Sequence, residues 1–254
     1  FAVNPLIPPV SGFVCSQETA RPRSLETFGI LPLADCFSAL TDLPTPFEPM
    51  FFSLDGIDGV GKSTQMDLFV EYLEENGHSV LTCRDPGSTR LGEAVREILL
   101  QDMGTPICGT TEMLLYMAAR AQMVEEIIKP ALAMGKAVVS DRYLLANVVY
   151  QGWAGDLAPE IIWQVGAIAT DQLKPDLTLI LDLPVSKASE RIGSEPDRME
   201  SRGIQYQQAL RNGFLEEAAR KPEQITVIDA EGAINEVAKR IQEATAHFLR
   251  GTTQ

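Results

Sequence analysis

No Cys-x-x-Cys pair, no long apolar run and no excess of positive charge occurs in this chain of 254 residues. The four cysteines, Cys15, Cys36, Cys83 and Cys108, lie far apart, so neither a zinc site nor a disulfide framework is expected. No uninterrupted apolar stretch reaches the ~18 residues of a membrane span. A formal net charge of −14 argues against a nucleic-acid or anionic-membrane surface as the main partner, because those contacts need clustered lysine and arginine. The expectation is a cytoplasmic protein. A hydrophobic fraction of 45% excludes wholesale disorder, and the length suits one sizeable α/β domain, or one domain with an appendage.

Lysine is also missing from the first 49 residues, which hold eight of the 16 prolines and show no sustained helical or strand period. The opening FAVNPLIPPVSGFVCSQ lacks the basic segment and apolar core of a signal peptide. Residues 1–49 are therefore expected to be a disordered or non-native leader, and residues 50–254 the working domain. Met50 stands immediately before the first strand-like run.

What is present begins with GIDGVGKST, residues 56–64, which follows the apolar run FFSL and Asp55. The spacing fits Gly-x-x-x-x-Gly-Lys-[Ser/Thr], a phosphate-binding P-loop. Gly56, Gly59 and Gly61 allow backbone conformations that a Cβ resists, so the N–H groups of Ile57, Asp58, Val60 and their neighbours can turn toward phosphate oxygens. Lys62 adds a mobile charge for the β and γ phosphates of a nucleoside triphosphate, the Ser63 hydroxyl suits Mg²⁺, and Thr64 continues the same turn. A helix over about 62–76 brings its positive dipole end to the same place. A glycine-rich turn that binds nothing would match the pattern too, but here strand, loop and helix follow in the required order.

Strand-like runs recur at 51–55, 79–83, 137–141, 177–183 and 225–229. Helical patterns lie near 62–76, 90–101, 110–134, 157–172, 201–219 and 233–249. Such alternation predicts an α/β fold with a five-stranded parallel sheet and helices on both faces, a three-layer arrangement that binds ligands at the carboxyl ends of its strands. Charged clusters sit at those ends. RDPGST carries Arg84 toward the ligand edge. SDRYLLANVVYQG offers Asp141 as a second acidic group for Mg²⁺ and Arg142 for phosphate, or else an Asp-Arg ion pair that caps the strand. Tyr116 and Arg120 are four apart on one helix face, a pair able to stack on and hydrogen-bond a base, or to pack in the core with the arginine reaching out.

The series FFSLDGIDGVGKSTQ, RDPGSTRLGEAVREILL, LLYMAARAQ, DRYLLANVVYQG and LDLPVSKASERIGSEPDRMES resembles thymidylate kinases in order and spacing over about 51–219. The resemblance implies a P-loop NTPase-type fold with a short lid, and Mg²⁺-dependent transfer of a phosphoryl group from ATP to dTMP. The acceptor oxygen in that reaction is already anionic and needs no general base, and His78 and His247 fall outside all five blocks. Carried over block by block, Lys62 and Ser63 would hold the ATP phosphates and Mg²⁺. Asp58 would face the sugar 3′-hydroxyl and the metal region, and Arg142 would clamp the dTMP phosphate. Tyr116 would stack on thymine and Arg120 reach its O4. Asn147, Tyr150 and Gln151, on the helix after Arg142, would complete the pocket, with Tyr150 crowding the 2′ position.

Residues 184–202 resemble the lid. Position 59 is glycine, so the family's catalytic arginine would come from the lid, with Arg198 the first choice and Arg191 nearer the adenine. Arg202 and Lys187 fit an ordinary exposed helix. The resemblance also implies a homodimer formed through helices on one face of the sheet. Two alternatives remain open: another nucleoside monophosphate kinase, and a P-loop switch without kinase activity, although the Asn-Lys-x-Asp guanine motif of a GTPase switch is missing.

Overall fold

The computed structural model describes residues 48–101, 104, 106–191 and 202–252. The leader expected over residues 1–49 lies outside them up to residue 47. Five strands form one parallel sheet in the order β2-β3-β1-β4-β5: β1 (Phe51–Asp55), β2 (Val80–Arg84), β3 (Ala137–Asp141), β4 (Leu177–Asp182) and β5 (Ile225–Asp229). The chain winds outward to β2, then crosses after β3 to the other side of β1. The crevice at such a reversal, outside the carboxyl ends of the strands, is where open α/β sheets bind ligands. Pairing of Leu54 and Arg84 with Asp141 brings three strand ends level there.

Helices cover both faces. On one, α1 (Lys62–Glu75) packs with α8 (Ile234–Thr252), and Phe69 of α1 meets Phe52 of β1 edge to face at 5.3 Å. On the other, Tyr143 meets Phe51 in the same way at 4.9 Å. Consecutive residues of β1 thus serve opposite layers, as the two-residue period of a strand requires. α2 (Arg90–Leu100) opens on Thr89, whose hydroxyl accepts from the Gly92 N–H at 2.8 Å. α3 (Gly109–Met123) continues through a π-helical turn, Val124–Ile128, into Lys129–Ala133. Pro130, which cannot donate and crowds the preceding turn, accounts for the widening. α5 (Pro159–Ala169) packs against α3, and α7 (Ile204–Arg220) against β5.

Two elements depart from the helical period of the sequence. α4 (Leu144–Asn147), with its π-helical extension Val148–Trp153, is an extra helix between β3 and α5. Leu144 to Gly152 are buried, so the segment has no solvent-exposed face to give it a period. α6 (Val185–Ser189) opens the stretch resembling a lid, yet buries Val185 and Ala188. Residues 192–201, the greater part of that stretch, lie outside the described residues, and Arg198 with them.

Candidate active site

The loop between β1 and α1 is shaped by left-handed glycines, with φ of 137° at Gly56 and 95° at Gly61. A Cβ at Gly56 would stand 2.6 Å from the Leu181 carbonyl oxygen, so close approach to β4 excludes any side chain there. Gly61 is the N-cap of α1 and leaves the unpaired N–H groups of the first turn at the loop. The Lys62 ammonium lies over this loop, donating to the carbonyls of Gly56 at 3.2 Å and Ile57 at 2.9 Å, with Asp58 3.6 Å away. Burial and the neighbouring Arg142 pull its pKa down to about 8, against the attraction of Asp58, Asp141 and Asp55. A cation so crowded gains from an arriving polyanion.

Arg142 follows β3 with φ of 66°, an uncommon conformation for a long side chain. Its N–H donates to Leu54 at 2.9 Å, and the Ser140 hydroxyl donates to its carbonyl at 2.6 Å. The guanidinium so aimed donates to Gly56 O at 2.8 Å and Asp58 Oδ1 at 2.5 Å, and lies 5.1 Å from the Tyr150 ring centroid. The Tyr150 hydroxyl donates to the other Asp58 oxygen at 3.1 Å. Burial pushes the Asp58 carboxyl up, but Arg142 and Lys62 outweigh it and hold the acid below the ordinary carboxylate range. An ionised Asp58 therefore joins the P-loop to the end of β3.

Two cavities meet at this junction. The larger, about 560 Å³, runs from the P-loop, Asp58 to Gln65, to an apolar wall that includes Ala230, Ile234 and Val237. The smaller, about 90 Å³, lies among Tyr116, Arg120, Asn147, Tyr150 and Gln151. Asp58, Asp85, Arg96 and Arg142 line both.

Arg120 is 1% exposed, and its charge is met by Asp85 at 2.5 Å. It also donates to Asn147 Oδ1 at 3.2 Å. Asn147 donates in turn to Gln151, and Gln151 to Glu112 at 2.7 Å. A carboxylate only accepts and a guanidinium only donates, so the two amides between them have fixed orientations. Burial raises the Asp85 carboxyl, with Arg120 opposing. Asn147, Tyr150 and Gln151 reach this cavity from the end of α4 and its π-helical turn, a form frequent at functional sites.

At the end of β1, Asp55 is fully buried. Its Oδ2 accepts from the Ser53 hydroxyl at 2.6 Å, whereas Oδ1 has no partner among the described residues, and the same holds for Asp141 Oδ1. Burial lifts Asp55 to about 6 in spite of Ser53, Arg142 and Lys62. Because this folded value lies above the unfolded 3.8, stability is full below about pH 3.8 and falls as the pH rises through 6. Asp55→Asn is accordingly expected to stabilise the fold at pH 7.5 by about 1–3 kcal/mol, with the gain vanishing below pH 4. Thermal melts of both proteins at the two pH values check this, and equal stability at pH 7.5 would contradict it.

Among the described residues no group of three or more His, Cys, Asp or Glu is placed to hold a metal. A divalent cation here would take most of its ligands from water and phosphate oxygens, as Mg²⁺ does. Ser63 and Asp141 line one recess, and the unpartnered Asp141 oxygen offers an acceptor, so these residues fit that ion.

The structure brings the described residues singled out in the sequence together about these cavities, with Arg84 turned aside and Arg198 outside the described residues. Arg84 lines the larger cavity, but its guanidinium donates to Glu93 at 3.1 Å in an exposed ion pair. Arg191 stands beside the P-loop, 3.9 Å from where a Cβ on Gly61 would be. Arg96 was not anticipated, although it lines both cavities and donates to Pro86 O at 3.2 Å. A signal for it exists: Gly92, four residues earlier on α2, would bring a Cβ within 2.5 Å of Gly87 O, and an interior helical glycine marks such close approach.

A P-loop on a five-stranded parallel sheet, with a second polar cavity sharing its phosphate end, defines a P-loop phosphotransferase of the nucleotide kinase class. The family model described as thymidylate kinase matches residues 54–241. The thymidylate kinase of Rhodopirellula baltica is 46% identical over 196 residues, covering 77% of this chain and 80% of that protein. That of Fervidobacterium nodosum is 43% identical over 202 residues, 79% of this chain and all of the relative. The crystal structure of thymidylate kinase from Ehrlichia chaffeensis superposes with a TM-score of 0.63 at 29% identity, covering 78% of this chain and 98% of that one. The chain belongs to the thymidylate kinase family.

Proposed function

We propose that the protein transfers the γ-phosphoryl group of ATP directly to the phosphate of dTMP, giving ADP and dTDP. The observation that carries this reading is the shared wall of the two cavities, Asp58, Asp85, Arg96 and Arg142, where the phosphate ends of two nucleotides can meet in line. The P-loop backbone with Lys62, Ser63 and Thr64 grips the donor phosphates. Arg142 and Arg96 hold the acceptor phosphate and offset the mutual repulsion of the two anions. Asp58, kept ionised, takes the acceptor's 3′-hydroxyl. Arg120 donates to thymine O4, Tyr116 stacks on the ring, and Asn147 and Gln151 close its polar edge. Tyr150, wedged between Tyr206 and Phe214, crowds the 2′ position.

Mg²⁺, when bound by Ser63 and Asp141, supplies neutralisation of phosphate charge. Arg191 covers the donor side, and Arg198 is the lid arginine assigned to the moving group. The kinase domain is assigned to residues 50–254. Exposed Leu91 and Ile98 of α2, Leu114 of α3, and Ile161 and Ile168 of α5 supply an apolar face for a homodimer, since these helices pack side by side.

Substrate choice tests the reading. Cytosine places an amine where thymine has O4, opposite a guanidinium that only donates. With ATP as donor, kcat/KM for dTMP is expected to exceed that for dCMP and the purine monophosphates by about 100-fold or more. A steady-state comparison of these acceptors decides it, and comparable use of dCMP would overturn the assignment of Arg120.

A further inference from the structure

Glu112, in the first turn of α3, is 3% exposed, and an acid so buried calls for partners. Gln151 donates its Nε2–H to Glu112 Oε1 at 2.7 Å. The exposed Arg202 guanidinium stands 3.5 Å from Oε2 and meets the charge from the other side. Gln151 lines the smaller cavity, whereas Glu112 lies outside that lining. The carboxylate is therefore behind a pocket side chain and out of reach of an occupant.

Hydrogen bonds along this wall all run one way. Arg120 donates to Asn147, Asn147 to Gln151 and Gln151 to Glu112, so two amides bridge a guanidinium and a carboxylate. Each amide spends one N–H and one lone pair on the chain and retains one of each. Arg120 is fixed by Asp85, but Gln151 is a long, flexible side chain whose far end is held by Glu112. Ordering such a side chain at the moment of binding weakens affinity, and anchoring it beforehand avoids that loss. Since Arg202 offsets the charge, what Gln151 meets is an acceptor at a fixed distance. We propose that Glu112 is a positioning residue for the acceptor base: it holds the Gln151 amide in its pocket orientation, and it does so by the reach of its oxygen rather than by its charge. The inference rests on the smaller cavity being the dTMP site.

Two variants separate reach from charge. Glu112→Gln keeps an oxygen where Gln151 donates, while the exposed Arg202 is free to turn to water. Glu112→Asp keeps the charge but withdraws the acceptor by one methylene. With ATP saturating, the dTMP KM is expected to rise by about tenfold in Glu112→Asp, the worth of one net hydrogen bond, and to stay within about threefold of the wild type in Glu112→Gln. In both, kcat and the ATP KM should stay within about twofold, because the lost interaction serves acceptor binding alone. Equal losses in the two variants, or the reverse order, overturn the proposal. A side chain that merely braces α3 against the π-helical turn would lower the melting temperature and leave the dTMP KM unchanged, and that result overturns it too. A cycle through the partner adds a second check: in a Gln151→Met background, Glu112→Asp should raise the dTMP KM no further, whereas increases that multiply would show an independent effect and reject the role. Should Glu112→Asp fail to fold, Glu112→Gln decides by itself, since a tenfold rise with the acceptor still in place contradicts the proposal. Failure of the kinase reading is a separate outcome, seen as no dTDP from the wild type. The dissociation constant of dTMP in the same proteins would then still read the order of the variants.

Discussion

Lys62→Ala is expected to lower kcat/KM for ATP-dependent phosphorylation of dTMP by about 10³-fold or more while leaving the fold nearly as stable. Among the described residues its ammonium meets the loop carbonyls of Gly56 and Ile57 and the Asp58 carboxylate, all within the phosphate-binding turn. Removing it leaves Arg142 as the cation beside Asp58, while the core pair Phe52 and Phe69 is untouched. The cost to folding is about 1 kcal/mol, the net value of an ordinary hydrogen bond, and is offset by release of a desolvated charge. Steady-state kinetics with saturating ATP, together with a thermal melt, separate the two effects. Turnover within tenfold of the wild type would remove Lys62 from the phosphate site.

Arg120→Ala should behave in the opposite way and damage the fold as well as the function. The guanidinium is the partner of a buried carboxylate, Asp85, whose Oδ1 already lacks a hydrogen bond among the described residues. Breaking such a pair by removing one member strands the other charge, at a cost of about 3–5 kcal/mol. The dTMP KM should rise too, because the thymine carbonyl loses its donor. A double variant, Arg120→Met with Asp85→Asn, separates these effects. It removes both charges, so chemical denaturation should show most of the lost stability regained while the dTMP KM stays high. Wild-type affinity for dTMP in the double variant would assign Arg120 to the core alone.

The contrast between Lys62 and Arg120 shows what was legible in the sequence. The P-loop is local: strand, turn and helix lie within residues 51–75, and each residue type performs its task on its neighbours. The five strands were legible because a doubly covered parallel strand is a short apolar run. Tyr116 and Arg120 were placed together by helical spacing, but the near-complete burial of Arg120 depends on Asp85, 35 residues earlier and level with the strand ends. No periodicity reports that pairing. α4 escaped its period because it is buried on every side, although DRYLLANVVYQG placed Asn147 and Tyr150 on a helix through its resemblance. Arg84 looked like a ligand arginine from its position after β2. The nearest acid to its guanidinium is Glu93 on α2, a contact set by the Pro86-Gly87 turn rather than by the strand. Glu112 reads as an ordinary polar helix position, and only burial reveals that its hydrogen bond carries orientation.

Catalysis rests on the two cavities holding donor and acceptor so that the phosphoryl group passes between them and not to water. Counting both products tests it most directly: ADP and dTDP are quantified after incubation of the full chain with Mg²⁺ and ATP, with dTMP present or omitted. One dTDP is expected for each ADP when dTMP is present, with negligible ADP when it is omitted. ADP formed at the same rate without dTMP, or formed without matching dTDP, would contradict it.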